Sequence, residues 1–368
     1  MKRRRFLSSI TVGGLAVAVP SFLFAYDKAT SYTPVANSYT HNPQLKNLLS
    51  DYNWPGTPLD QKGLFMNHEF PFWPRFGDVL KWQTERNFYK ATKKTDSSRL
   101  AVVKQQSLQK IGDNTIVWLG HACFLIHLNG LKILIDPVLD SPSFTMKRYS
   151  ELPLEKSQLI GLDYILISHD HRDHCDESSI KLLAKQNPEA TWLCGLQLDT
   201  LIRKWTASEK VQAAGWYQQY KTDEEKVKIS FLPTRHWARR GLSDTNTTLW
   251  GAFMLEAGGK KIYFGGDSGY GSHVKQVREV FGQVDYYIAG IGAFAPRWFM
   301  GPSHMHPEEA AQACEDLKPA YLLPMHFGTF DLSDEPLMEP ERLIRQLKAD
   351  GAFASELLLP AVGEVLQL

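Results

Sequence analysis

Ser168-His169-Asp170-His171-Arg172-Asp173-His174 sets three imidazoles and, at Asp173, a carboxylate within six positions, directly after the apolar run Tyr164-Ile165-Leu166-Ile167. A short apolar run bounded by polar residues reads as a buried strand, so the histidines fall on a loop at a strand end. Close imidazoles repel one another when protonated. A divalent cation removes that conflict and fixes the rings, so the segment reads as a metal-binding motif rather than a solvated turn. Alternation turns the rings of His169 and His171 to one side, while Asp173 and His174 offer a carboxylate and an imidazole to a neighbouring position. Two adjacent metal ions need such an arrangement.

Four ligands do not complete two sites, and later strand ends supply more. His236 follows the run Lys228–Leu232 in Pro233-Thr234-Arg235-His236-Trp237, Asp267 follows residues 261–264 in Gly265-Gly266-Asp267-Ser268-Gly269, and His326 follows residues 321–324 in Pro324-Met325-His326-Phe327-Gly328. Taken singly, each is more often structural; their shared placement makes them ligand candidates. Around them, residues 116–119, Cys123–Leu128 and 132–136 read as consecutive strands, with Asn129-Gly130 as a hairpin turn. Further strands are expected over 164–167, 191–194, 228–232, 250–256, 261–264, 286–289 and 321–324. Helices are expected over 177–185, 198–205, 273–281, 307–317 and 340–349. Strands interleaved with helices imply an α/β sandwich with helices on its outer faces.

In this order, His-x-His-x-Asp-His followed by single His, Asp and His resembles the metallo-β-lactamase superfamily of binuclear hydrolases. Within it, Trp118-Leu119-Gly120-His121-Ala122, residues 233–240 with their His-Trp pair, Gly265-Gly266-Asp267-Ser268-Gly269-Tyr270, residues 291–300 with Pro296-Arg297-Trp298-Phe299-Met300, Pro307-Glu308-Glu309-Ala310 and His326-Phe327-Gly328-Thr329-Phe330 resemble the N-acylphosphatidylethanolamine-hydrolysing phospholipase D family. The likeness runs from about Gly63 to Met338. It implies an αββα sandwich carrying two zinc ions, or iron or manganese, with His169, His171 and His236 on one, Asp173, His174 and His326 on the other, and Asp267 bridging them. It further implies hydrolysis of a phospholipid phosphodiester by metal-bound hydroxide, giving phosphatidic acid and an N-acylethanolamine. Two ions about 3.5–4 Å apart can activate water and stabilise both the attacking and the leaving oxygen. The same scaffold resembles lactonases and other ester hydrolases, and fold alone does not choose between these chemistries. A metal-bound protein that holds lipid without turnover is the third reading; intact ligand positions argue against it.

Asp170, beside two ligands, is a candidate for orienting water or moving a proton, or for a structural role behind the ligands. His304 matches a family histidine near the metal pocket and is a candidate for contacting phosphate or protonating the leaving group, whereas His306 reads as a helix-start residue. His121 reads as a buried, hydrogen-bonded histidine that supports the metal loop. Arg239, Arg240 and Arg297 are candidates for gripping the substrate phosphate, since a guanidinium fork fits phosphate oxygens. Cys123, Cys175, Cys194 and Cys314 show no zinc-finger spacing and read as buried thiols; Cys175, next to the motif, is the one candidate for reactivity.

Of the 368 residues 43% are hydrophobic and 22% charged, enough apolar mass for a large core and against a disordered chain. Lys2-Arg3-Arg4-Arg5-Phe6-Leu7 and the uncharged stretch after it read as an export signal over 1–25, and Arg-Arg-x-Phe-Leu resembles the twin-arginine type; an uncleaved anchor is the other reading. A periplasmic protein is expected either way. Losing Lys2, Arg3, Arg4 and Arg5 takes the formal charge from +1 to −3, a balance that offers no footprint for nucleic acid. Residues 26–98 read as an aromatic-rich extension, serving as an apolar lip for a greasy substrate or membrane surface, as packing, or as both. The catalytic domain is expected over 99–368.

Overall fold

Every residue of Thr115–Gly120 and Cys123–Leu128 is buried, as continuous apolar runs require when a sheet is covered on both faces. Successive side chains part company: Ile116 and Trp118 join one hydrophobic cluster, Val117 and Leu119 the other. The computed structural model describes residues 36–50, 54–73, 75–105, 107 and 111–368; the export segment expected over 1–25 and the first part of the extension lie outside them.

Seven strands form the first sheet, in the order Val365–Gln367, Thr115–Gly120, Cys123–Leu128, Leu131–Ile135, Tyr164–Ile167, Thr191–Gly195 and Val211–Ala214. Eight form the second, in the order Glu356–Leu357, Tyr321–Met325, Tyr286–Gly290, Lys260–Phe264, Ala252–Ala257, Lys228–Leu232, Gln218–Gln219 and Lys46–Asn47. Phe124, Ile133 and Leu166 of the first sheet pack with Phe231, Phe253 and Phe264 of the second in one cluster between them. Helices Glu177–Gln186 and Leu198–Thr206 cover the far face of the first sheet through Ile180, Leu183, Leu198 and Ile202. Helices His273–Phe281, Pro307–Leu317 and Glu339–Ala349 pack together along the second. The result is the expected αββα sandwich.

Differences from the sequence reading fall at edges. Val211–Ala214 is short and built of Val, Gln and Ala, and Val365–Gln367 is short and largely exposed, so their apolar signal is weak. The extension carries regular structure that its composition hides: Phe76–Thr84 and Lys90–Thr95 are helical, and Lys46–Asn47 pairs antiparallel with Gln218–Gln219 to close one edge of the second sheet. The extension is thereby knitted into the sandwich. No helix among the described residues is long and apolar enough to cross a membrane. All four cysteines are free and buried.

Candidate metal centre

The seven residues expected as ligands sit on loops that leave the C-terminal ends of Tyr164–Ile167, Lys228–Leu232, Lys260–Phe264 and Tyr321–Met325. Their polar atoms converge in two groups whose members lie within 4.8 Å of one another, His169 with His171, His236 and Asp267, and Asp173 with His174, His326 and His121. Asp267 Oδ2 stands between the groups. It lies 3.9 Å from His169 Nε2 and 3.8 Å from His236 Nε2 on one side, and 3.2 Å from His174 Nε2 and 3.0 Å from His326 Nε2 on the other.

The donor set fits cations. His171 Nδ1 lies 2.9 Å from His169 Nε2 and 3.1 Å from His236 Nε2, and ring nitrogens so close are neighbours in a coordination shell, where bonds of about 2.0–2.1 Å to a tetrahedral ion set ligand atoms about 3.3 Å apart. Asp267 Oδ1 and His171 Nε2 are buried without a hydrogen-bond partner, a costly state for polar atoms, and His174 Nε2 and His326 Nε2 have carboxylate oxygens beside them, a cluster that an ion holds together. Burial pushes His169 and His236 well below the ordinary histidine range and His171 down to about 4, so these rings are neutral and have lone pairs to give. In the second group burial acts against charge, yet His174 and His326 hold the carboxyls of Asp173 and Asp267 well below their usual range. Those carboxylates in turn outweigh burial at His326, raising it to about 9. The pocket demands positive charge.

Tautomers are set from behind. Ser168 Oγ donates to Asp136 Oδ2 at 2.6 Å and so accepts from His169 Nδ1 at 2.9 Å; His174 Nδ1 donates to Asp136 Oδ2 at 2.8 Å, and His236 Nδ1 to the Ser303 carbonyl at 3.0 Å. Each contact puts the proton on Nδ1 and turns the Nε2 lone pair inward. Asp136, fully buried, also accepts from the Ser168 N–H at 2.7 Å. Sequence reasoning passed over Asp136, although it ends an apolar run as the ligands do. Its three partners are all donors, so Asp136→Asn leaves one facing an NH2 group, and metal affinity or activity should fall about 10–100-fold. Chelator-competition binding of Zn2+ to the variant, compared with the native chain, measures this.

Asp170 does not face the pocket. Its Oδ1 accepts from the Arg239 N–H and its Oδ2 from Thr248 Oγ1, each at 2.8 Å. With both oxygens engaged and burial raising the carboxyl to about 6, Asp170 braces the metal loop against residues 239–248; this corrects the catalytic expectation in favour of the structural one. Arg240 and Arg297 are likewise diverted. Arg240 bonds the carbonyls of Asp170 and Cys175 and lies over Trp205, and Arg297 bonds the His304 carbonyl at 2.9 Å and Glu309 at 2.6 Å. Only Arg239 of the three lines the cavity. Cys175 is fully buried with its thiol pushed up to about 12 by burial, a state without nucleophilic character. His121 Nε2 lies 3.0 Å from Asp173 Oδ2, a bond that steadies the second group. His304 Nδ1 lies 3.8 Å from Asp267 Oδ2, and burial drives its ring down to about 3, leaving it neutral. His306 caps helix Pro307–Leu317, accepting from the Glu308 N–H while Glu309 accepts from the His306 N–H, a capping box.

Over the two groups opens a cavity of about 120 Å3, continuous with solvent. His171, Asp173, Asp267 and His304 line it, together with Phe72, Trp82, Met146, Trp237, Phe299 and Leu332. Phe72 and Trp82 come from the extension, and Trp82 stacks on Phe299 with centroids 5.1 Å apart. The extension thus packs on the main domain at a contact that also lines the cavity.

A family model described as "Beta-lactamase superfamily domain" matches residues 132–327. The chain is 33% identical over 247 residues to N-acyl-phosphatidylethanolamine-hydrolyzing phospholipase D 1 of Caenorhabditis elegans, covering 62% of this chain and 68% of that one. It is 31% identical over 257 residues to the mitochondrial N-acyl-phosphatidylethanolamine-hydrolyzing phospholipase D of Saccharomyces cerevisiae, covering 67% of this chain and 54% of that one. Among solved structures, isothiocyanate hydrolase from Delia radicum gut bacteria superposes with a TM-score of 0.57 at 18% identity, over 69% of this chain and 98% of that one. At that identity the likeness is one of fold.

Proposed function

The chain belongs to the beta-lactamase superfamily and is a metal-dependent hydrolase of that fold; from this premise we propose that it is a zinc-dependent phosphodiester hydrolase of the phospholipase D type. Its substrate is N-acylphosphatidylethanolamine or a related phospholipid, and its products are phosphatidic acid and an N-acylethanolamine. One observation carries the reading: the two His/Asp groups open into a cavity walled by Phe72, Trp82, Trp237 and Phe299. An aromatic wall beside a cationic centre suits an acyl chain next to a phosphate, whereas a small polar pocket would suit a lactone. The identity to two proteins of that name supports the same choice.

His169, His171, His236 and Asp267 would hold one ion, and Asp173, His174, His326 and Asp267 the other. When bound, such a pair supplies Lewis-acid charge and a water acidic enough to attack at neutral pH. The chain's residues do the rest. Asp136, Ser168 and Ser303 hold the ligand rings in one tautomer, His304 stands beside Asp267 as a neutral ring that can contact the phosphate or take up a proton, and the aromatic wall excludes water from the acyl side. Arg239, only 6% exposed, is among the residues lining the cavity and keeps a buried Nη2 without a hydrogen-bond partner; its guanidinium is the group we assign to grip the phosphate. A charge-assisted hydrogen bond is worth about 1.5–3 kcal/mol, and Arg239→Met should therefore raise KM about tenfold to a hundredfold with a smaller change in kcat. Steady-state kinetics on mixed micelles measure the split.

Phe88, Phe144 and Leu242 are 82%, 69% and 67% exposed. Phe144 and Leu242 lie close in sequence to Met146 and Arg239 of the cavity wall, which supports docking of this rim on a membrane surface. The twin-arginine-like order at Arg3, Arg4, Phe6 and Leu7 supports a periplasmic location. Product analysis in oxygen-18 water tests the activity: label in the phosphate of phosphatidic acid, with free N-acylethanolamine, is the expected result. Intact phospholipid beside a lactone opened with label in its carboxylate would overturn the substrate while leaving the metal centre standing.

A further inference from the structure

We propose that Asn67, in the extension, is a positioning residue of the metal centre, holding His236 in place through both of its main-chain polar groups. The inference rests on the two-ion reading above and adds to it a residue 169 positions away from the ligand it serves. The His236 N–H donates to Asn67 Oδ1 at 3.0 Å, and Asn67 Nδ2 donates to the His236 carbonyl at 2.9 Å. Asn67 is 2% exposed and His236 fully buried, so water does not compete for these bonds. The amide side chain thus pairs with His236 as a neighbouring strand would, just beyond the point where Lys228–Leu232 has ended.

The brace is built. Phe65 and Met66 are buried, the Phe65 N–H donates to the Asn246 carbonyl at 2.9 Å, and beyond Asn67 the Glu69 carboxylate accepts from Ser272 Oγ. Asn246 repeats the device one step along the same loop: its Oδ1 accepts from the Ala238 N–H at 3.1 Å, and its own N–H donates to the Ala238 carbonyl at 2.8 Å. Two asparagines therefore clamp the loop that carries His236. The amide offers a donor and an acceptor on two separate atoms, matched to the N–H and the carbonyl of one residue; aspartate offers acceptors alone and alanine neither. The ring of His236 turns from this backbone toward His169, His171 and Asp267. The second group contains no His236, so loss of the brace acts on one ion and spares the other.

The test is a Zn2+ titration of chelator-stripped, full-length protein against a chromophoric chelator, with cobalt(II) absorption as a second readout. Asn67→Asp and Asn67→Ala are compared with Thr57→Val. Thr57 is a matched control: fully buried in the extension, it accepts from the Trp216 N–H at 2.9 Å and touches no ligand. Asn67→Asp keeps the side-chain shape, so it reports even where the alanine variant folds poorly. The expected result is a loss of about 10–100-fold in affinity for one of two ions in the Asn67 variants, with a changed cobalt spectrum, and native binding of both ions in Thr57→Val. Native binding in the Asn67 variants, equal weakening of both ions, or the same loss in Thr57→Val would overturn the assignment. A native chain that takes up no pair of ions overturns the functional reading first, before any variant is compared.

Discussion

Asp267→Asn should lower turnover at least about a thousandfold and strip metal from both groups at once. Asp267 Oδ2 is within 3.9 Å of ring nitrogens in each group, so this one carboxylate is placed to serve both. The amide keeps the shape but removes the negative charge that two cations share, and Lewis-acid stabilisation worth several kcal/mol converts to a thousandfold or more in rate. Asp173→Asn or His326→Ala, each confined to the second group, should also abolish hydrolysis while leaving the first group's ion bound. The contrast between losing two ions and losing one is read by elemental analysis of purified variants, with circular dichroism showing that the fold persists.

Gly292→Ala is expected to damage the same site from the backbone. A Cβ at Gly292 would lie 2.0 Å from the His326 carbonyl oxygen and 2.9 Å from its carbonyl carbon, and neither is a flexible side-chain end that can swing aside. His326 already holds a left-handed φ of 67°, an uncommon state for a residue with a side chain. The main chain carrying the ligand must move. Overpacking of this kind costs about 3 kcal/mol or more, and a ligand displaced by about 1 Å loses on the order of a hundredfold in rate. Gly77→Ala is the control, because nothing lies within 4 Å of its added Cβ and it sits inside helix Phe76–Thr84. It should leave turnover unchanged and stability level or slightly higher. Differential scanning calorimetry with kcat for both variants separates the two outcomes.

What could be read from the chain follows from where the information lies. Ligand residues are chemically conspicuous and the strands before them are continuous apolar runs, so the loops after Tyr164–Ile167 and Tyr321–Met325 could be placed before any coordinate was known. The supporting residues are common types whose role exists only in three dimensions. Asp136 looks like a strand end, and Asn67 like one more polar residue in an aromatic stretch, until distances of 2.8 Å to His174 and 2.9–3.0 Å to His236 declare them. The arginines err in the other direction. Sequence alone cannot tell a guanidinium that bonds backbone carbonyls, as Arg240 does, from one such as Arg239 whose Nη2 is left over. Asp170 shows the same limit: adjacency to ligands suggested chemistry, and its two accepted hydrogen bonds assign it to the loop.

The most direct test of the account is turnover of the proposed phospholipid by fully chelated protein as Zn2+ is returned in measured equivalents. The account predicts no turnover without metal, and full activity only as the second equivalent binds, because the groups around Asp267 act as a pair. Hydrolysis by the metal-free chain, or full activity that needs no second ion, would contradict it.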